Sequence, residues 1–366
     1  MLTPEVRLMR PSDQEAMFEL SRLSPMKLPG LDLIYDRSPD FQNLLNCQSS
    51  QFETYVSYLA GELLGHASIS WKTRLVNGEK KGVAYLGDLR MRKRRESARV
   101  WREFYQVILS DEYRKKNNID YYLTAVLADN KVAIKNLTQS RNNKFSYHLL
   151  GKQMMVNILG INPFSIFKDN NHEVSEWVGE INSYNWDQFE EKEFSYLWKE
   201  DEDQYRKKNW NQYTSREWMK VNDQNEKIIL ITHPWAPTIC KRMTLDNLDW
   251  KMAVFLKAAR LFGLPSLNEG SYLDTLYLTG LHFSKMTSRK QKASALAQLI
   301  REELKRSARP HMISFADSEN LHREPQIRKN FLLNKTEVLL FQVTRTDEAP
   351  VKFKDSLPIE FEMALV

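Results

Sequence analysis

The apolar and polar positions of this chain change period several times, and each change predicts an element. Val6 to Met9 (VRLM) reads as a short strand, and Ser12 with Glu15 then forms a capping-box pattern ahead of Met17, Leu20 and Leu23 at helical spacing. Residues 52–59 (FETYVSYL) and 63–71 (LLGHASISW) alternate or run apolar on either side of Ala60-Gly61-Glu62, the pattern of a hairpin. Asn77-Gly78 marks a second turn into 82–91 (GVAYLGDLRM), which makes a meander of three antiparallel strands. Val100, Phe104, Val107 and Ile108 fall at i, i+4, i+7 and i+8, so 97–109 is predicted as an amphipathic helix lying on the sheet. A strand at 119–128 (IDYYLTAVLA), a helix at 130–139 and a strand pair around 145–158 complete the first half.

Glycine, proline and polar residues without a period fill 159–172 (GINPFSIFKDNNHE), the expected linker. The polar, aromatic-laced stretch 184–208 is expected to be partly helical with a solvated face. Beyond it the pattern predicts a strand at 227–235, a helix at 246–262, a strand at 272–283, a helix at 291–306 and a strand at 311–317.

The halves resemble each other. YLGDLRMRK (85–93) set over YLTGLHFSK (277–285) matches Tyr85 with Tyr277, Leu86 with Leu278, Leu89 with Leu281 and Lys93 with Lys285 at an offset of 192 residues. Each segment is a strand entering a helix, and each helix is followed by another strand. The repeat predicts two copies of one α/β domain with a mixed sheet, at 1–160 and 171–366.

Composition narrows the function classes. A net charge of +6 comes from 53 basic against 47 acidic residues, a near balance that argues against a dedicated nucleic-acid binder. Cys47 and Cys240 are too few for a disulfide framework, and no Cys/His spacing suggests a metal site, so they read as small buried residues in a reducing compartment. There is no GxSxG elbow, HExxH helix or P-loop. MLTPEVRLMRPSD lacks the apolar core of a signal peptide, and no apolar run approaches membrane-spanning length; a soluble cytoplasmic protein is expected.

With these elements in order, the first half resembles the GCN5-related N-acetyltransferase (GNAT) superfamily. VRLMRPSDQEAMFEL is similar to the family's first strand and helix, GELLGHASI to its second hairpin, YLGDLRMRKRRESARVWREF to its fourth strand, cofactor loop and third helix, and LADNKVAIKNL to its fifth strand end and fourth helix. The resemblance covers roughly residues 5–158, with the second half a weaker copy. It implies an acyl-CoA-dependent N-acetyltransferase with acetyl-CoA or another acyl-CoA as cofactor and an amine, on a small molecule or a peptide, as acceptor. A non-catalytic tandem-GNAT protein that binds CoA or a partner is the alternative.

In the family a Q/R-x-x-G-x-G/A loop turns helix-start N–H groups toward the pyrophosphate, which is anion binding by unpaired donors and the helix dipole. Arg94, Ser97 and Arg99 stand at the matching positions, so both glycine positions are filled; the second copy offers Lys290, Ala293 and Ala295. The resemblance therefore implies that Leu89, Arg90 and Met91, then Arg94, Arg95, Glu96, Ser97, Ala98 and Arg99, with Asn130, bind the cofactor. Two other readings of the basic elbow remain beside the phosphate cradle: a solvated turn and a nucleic-acid contact.

Acetyl transfer to an amine needs carbonyl polarisation, a base for the amine and a proton for the thiolate. Asp88, on the fourth strand, is the candidate base, with an ion-paired strand-end carboxylate as the other reading. The tyrosine acid that the family often carries seven residues after the helix-four asparagine is replaced by Leu137, and Tyr147 is the candidate substitute, with a core or surface tyrosine as the other reading. His66, His148 and His282 lie in or beside predicted strands and read as structural.

Overall fold

The computed structural model describes residues 4–28, 30–138, 144–165, 172–177, 181, 185–195, 205, 208–209, 218–237, 240–259, 267–306, 309–353 and 357–362. The elements run β1 (Glu5–Leu8), α1 (Gln14–Arg22), β2 (Met26–Leu28), β3 (Leu31–Asp36), α2 (Asn43–Gln48), β4 (Gln51–Leu59), β5 (Glu62–Val76), β6 (Glu79–Met91), α3 (Arg95–Ile108), α4 (Asp111–Asn117), β7 (Tyr121–Leu127), α5 (Lys131–Thr138) and β8 (Phe145–Ile161). They continue with β9 (Glu173–Glu176), β10 (Met219–Asn222), β11 (Ile228–Trp235), β12 (Arg242–Leu248), α6 (Trp250–Ala259), β13 (Thr275–Phe283), α7 (Arg289–Lys305), β14 (Met312–Asp317), α8 (Pro325–Arg328) and β15 (Phe331–Arg345). No described helix is long and apolar enough to cross a membrane.

Twelve strands form one sheet in the order β1-β4-β5-β6-β7-β15-β8-β14-β13-β11-β10-β9, and β12-β3-β2 form a second. The large sheet reads alike from both ends. Five strands from the first half lead inward to the parallel pair β6/β7, and five from the second lead inward to the parallel pair β13/β14. Helix α3 connects the first pair, together with α4, and α7 connects the second. Such crossovers bury a sheet face: β13 is buried at all nine positions, as a strand covered on both faces must be.

The middle of the sheet departs from the sequence reading. Residues 145–158 are not a strand pair; β8 is a single strand of 17 residues reaching Ile161, so the expected linker loses its first three residues to the sheet. Its partner is β15, paired antiparallel from Phe145–Arg345 to Ile161–Phe331, and β15 also pairs with β7 while β8 pairs with β14. Each half is thus closed by a strand from the other, and the two long central strands join the cores. A local hairpin was the natural expectation because adjacent apolar runs usually pair; here the partner comes from the end of the chain.

Other expectations shift locally. Asp13, and not Ser12, organises the start of α1: its carboxylate accepts from the Arg10 backbone N–H at 2.7 Å, from Arg7 and from Tyr58. The inward face of α3 is Ser97, Val100, Trp101, Tyr105 and Ile108, whereas Val107 is exposed. The helix predicted at 246–262 begins at Trp250, because 246–248 extend β12 against β3; residues 260–262 lie outside the described residues, as does residue 139 of the predicted helix 130–139. In the aromatic-laced stretch, 184, 196–204, 206 and 207 lie outside them too, and the described part is not a solvated helix face: Phe189 and Phe194 are buried, and Phe189 bridges to Ser284.

Candidate functional site

The site is built where β6 leaves its parallel neighbour. Pairing runs Val83–Tyr121, Ala84–Tyr122 and Tyr85–Leu123 and then stops, although β6 continues to Met91 and β7 to Leu127. Thr124 Oγ1 donates to the Leu86 carbonyl at 2.8 Å just past the last pair, marking the apex of a V. Beyond it, among the described residues, β6 has no partner strand on its β7 side.

A bulge sits at the mouth of the V. His66 pairs with Arg90 and Ser68 with Gly87, so Asp88 and Leu89 together oppose Ala67. Asp88 has φ of 53°, a left-handed conformation that aspartate tolerates better than bulkier side chains. The second copy repeats the device: Ile231 pairs with His282 and His233 with Thr279, so Gly280 and Leu281 oppose Thr232. Gly280, at φ of 56°, is the repeat counterpart of Asp88. Each half therefore places at this position a residue able to take a left-handed turn, although the letters differ.

Three residues, Arg92 to Arg94, separate β6 from α3. Arg94 is the N-cap and provides no capping side chain, leaving the first-turn N–H groups open. Ser97 in that turn is fully buried, and among the described residues neither its hydroxyl nor the Trp101 indole N–H one turn on has a hydrogen-bond partner. Gly65 keeps this place clear, since a Cβ there would lie 2.8 Å from Trp101 Nε1 and 2.6 Å from the Arg90 carbonyl. Arg92 and Arg94 share Glu62, at 3.1 and 2.9 Å, and Lys93, Glu96 and Ala98 are exposed. Arg99 does not crowd the site: it is exposed and pairs with Glu103 at 3.0 Å along the helix. The Arg95 side chain lies outside the described residues.

The matching helix start in the second copy has its cap filled and most of its cations paired, Arg289 with Glu324 at 2.9 Å among them. Ser288 and Gln291 close a full capping box on α7. Lys292 is buried between Glu190 and Glu319, each at 2.6 Å, while Ala293 and Ala295 are fully buried and Lys290 is exposed. Acidic groups and a satisfied cap make this start poor for a phosphate; the basic, uncapped start of α3 is good for one.

Around Asp88 lies a polar cluster drawn from both halves. Arg37, just after β3, donates to Asp88 Oδ1 at 2.9 Å and to the Phe41 carbonyl at 2.8 Å. Burial alone would raise the Asp88 pKa, but the Arg37 and Arg90 guanidinium groups hold it below the usual carboxylate range. Arg90 donates to the Ser24 carbonyl at 3.1 Å, and burial lowers its pKa. His66 is fully buried, edge-on to Phe41 at 5.1 Å, and burial aided by the two arginines depresses its pKa to about 3, so it is neutral. From the other half, Lys241 is buried with its ammonium between the Tyr35 and Tyr277 rings, 5.3 and 5.2 Å from their centroids. Burial, with Arg37, takes its pKa down to about 7, against weaker support from Cys240 and Asp88. Cys47 and Cys240 lie in one buried cluster with Leu44, Trp235 and Tyr277, the Cys47 thiol donating to the Asn209 carbonyl and the Cys240 thiol to the Pro237 carbonyl, each at 3.6 Å.

Because the folded state rejects a proton that the unfolded chain keeps, Lys241 makes stability rise with pH between about 7 and 10.5. Relative to a Lys241→Met variant, the parent should therefore gain stability across that window and change little below it, which denaturant titrations at a series of pH values will check.

The remaining sequence candidates are not gathered here. Tyr147 packs in the core under α3, 5.9 Å from the Phe145 ring and 6.3 Å from Phe341, and burial, with Tyr105, pushes its phenol pKa up. Asn130 caps α5, its Oδ1 accepting from the Ala133 N–H at 3.1 Å. His148 hydrogen-bonds Thr344 at 2.9 Å, and His282 lies 4.0 Å from Glu360. Among the described residues, no group of His, Cys, Asp or Glu is arranged to hold a metal ion. Arg37, Tyr35 and Lys241 were not singled out from the sequence; YDRSP and CKR carry no motif, and only the fold brings them to Asp88.

The segment 357–362 touches both halves. Gln153 donates to the Ile359 carbonyl at 3.0 Å, Glu193 and Ile359 form a parallel bridge, and the Phe361 ring lies 6.3 Å from Tyr85.

No protein-family description and no curated protein matches this sequence. Solved structures do match over most of the chain. Saccharomyces cerevisiae N-myristoyltransferase with bound myristoyl-CoA is 12% identical, with a TM-score of 0.54 over 94% of this chain and 79% of that one. A tandem GNAT protein from the clavulanic acid biosynthesis pathway is 9% identical, with a TM-score of 0.53 over 95% of this chain and 100% of that one. A glucosamine N-acetyltransferase region of a fungal multi-domain β-N-acetylglucosaminidase is 9% identical, with a TM-score of 0.56 over 94% of this chain and 38% of that one. The fold is that of the GNAT acyltransferases.

Proposed function

We propose that the chain is an acyl-CoA-dependent N-acyltransferase, that its N-terminal copy receives the acyl-CoA at the V between β6 and β7, and that the acceptor is an amine. One observation carries this reading: the V, its bulge and an open, basic helix start coincide in the first copy, whereas in the second, where β13 pairs with β14 only from Thr275–Met312 to Leu278–Phe315 and runs on to Phe283, the V and bulge lie beside a capped helix with glutamate-paired cations. Acyl-CoA supplies the activated acyl group, with acetyl-CoA the first donor to test.

The residues present fit that ligand. The first-turn N–H groups of α3 are donors suited to the pyrophosphate, with Lys93 and Arg94 adding positive charge. The unpaired edge of β6 at Leu89 and Met91 would hold the pantetheine arm as an added strand would be held. Asp88 would draw in the acceptor ammonium and take its proton, directly or through water. Arg37 keeps that carboxylate ionised, which favours attraction of the ammonium and limits its strength as a base.

A non-catalytic CoA-binding protein is the second reading, favoured by Leu137 in the place of the family tyrosine and by Tyr147 in the core. Calorimetry and thiol release separate the two. Arg94→Glu should weaken CoA binding about tenfold, the scale of one charge-assisted contact. Unchanged affinity would remove the site from the α3 elbow, and tight CoA binding without thiol release to any amine would favour the binding protein.

A further inference from the structure

Beside the Asp88 cluster, residues of the second half enclose a cavity of about 110 Å³ lined by Lys241, Arg242, Met243, Tyr272, Asp274 and Tyr277, among others. That is room for several water-sized groups, enough for the head of a small molecule. Two adjacent cations contribute to the wall. Arg242 is anchored through Nη2 to Asp36 at 3.2 Å and to the Ser38 hydroxyl at 2.7 Å, with its guanidinium over the Tyr272 ring. Its Nε–H is buried and has no acceptor among the described residues. Lys241 is held between two tyrosine rings, so its head is fixed in place before any ligand arrives. The carboxylate in the lining, Asp274, is exposed and lies 3.8 Å from His311.

We propose that this cavity binds a carboxylate carried by the acceptor, so that the acceptor is a small amine of the amino-acid class, its carboxylate at Lys241 and Arg242 and its amine toward Asp88. The inference rests on the acyl-transfer reading and deepens it. Attraction for an anion comes from the Arg242 guanidinium, which Asp36 shares and whose buried Nε–H lacks an acceptor among the described residues, and from Lys241, which a bound carboxylate would hold protonated; Asp88, near Lys241, supplies the opposite charge for the ammonium. Among the described residues, the charged and titratable groups around Lys241 include Arg37, Cys240 and Asp88, with Tyr35 and Tyr277 presenting their ring faces. A bound carboxylate would favour protonated Lys241, so binding above neutral pH should take up a proton.

The test compares alanine with ethylamine, its counterpart without a carboxylate, and with O-phosphoethanolamine, which carries a phosphate. Thiol release from acetyl-CoA should show kcat/KM at least about tenfold higher for alanine than for ethylamine. Lys241→Met and Arg242→Gln should each bring that ratio toward one through KM, with melting curves confirming folded variants. Equal parental rates for alanine and ethylamine would overturn the carboxylate site while leaving acyl transfer intact, and a preference for O-phosphoethanolamine would overturn the carboxylate in favour of a phosphate. If no amine releases thiol, the acyl-transfer reading fails and calorimetry decides the site. Alanine binding with proton uptake near pH 8, lost in Lys241→Met, supports it, and absence of binding overturns it.

Discussion

Replacing Asp88 with asparagine is expected to slow amine-dependent thiol release by roughly 10²–10⁴-fold while leaving CoA affinity nearly unchanged. Asparagine is also tolerated in the left-handed conformation at φ of 53°, so the bulge should survive. Its amide oxygen can still accept from Arg37, which keeps the hydrogen bond to Asp88 Oδ1 in kind. What disappears is the negative charge that draws in the ammonium and the site that takes its proton. Tyr147→Phe is the comparison: from its core position it should change the rate little. A large loss for Tyr147→Phe with none for Asp88→Asn would reverse the assignment and return the acid role to the tyrosine.

The second large effect is on folding. Gly82 lies at the closed end of the parallel pair, where its N–H donates to Asp120 at 2.7 Å and its carbonyl accepts from the Asp120 N–H at 2.8 Å. A Cβ there would stand 1.7 Å from the Asn118 carbonyl oxygen and 3.2 Å from the Ile119 Cα, both backbone atoms that no rotamer change can move aside. Asn118 is itself left-handed, closing α4. Gly82→Ala must therefore push the α4–β7 connection away from β6, and a loss of about 3 kcal/mol or more is expected, the upper range for overpacking. Denaturant unfolding should show it. Gly61→Ala, at a turn with nothing within 4 Å of the new Cβ, supplies a control whose only strain is its φ of 80°. Equal stability of Gly82→Ala and the parent would mean that the strands at the base of the V are not held this close.

Much of the architecture was legible because it rests on local pattern. The β4-β5-β6 meander came from alternation and two turns, and the equivalence of β6 and β13 from the match of Tyr85 and Leu86 with Tyr277 and Leu278. The alignment even set Asp88 over Gly280, but letters alone gave no reason to see a shared left-handed bulge in two dissimilar residues. What stayed hidden was non-local. Nothing near 145–161 says that its partner is 331–345, since a strand reveals which face it buries and not who lies beside it. Arg37 and Lys241 were hidden for the same reason: each is one cation in a chain with 53, and its meaning comes from the neighbours that folding supplies. The basic elbow was legible as a phosphate cradle or a solvated turn. The open helix start favours the cradle, while the Glu62 pairs of Arg92 and Arg94 show that part of its charge is already engaged.

A crystal structure of the chain with CoA tests the central claim most directly. The account predicts the pantetheine arm along the unpaired edge of β6, between β6 and β7, with the pyrophosphate at the start of α3 beside Ser97. CoA seated between β13 and β14, or lying on the surface away from both, would contradict it.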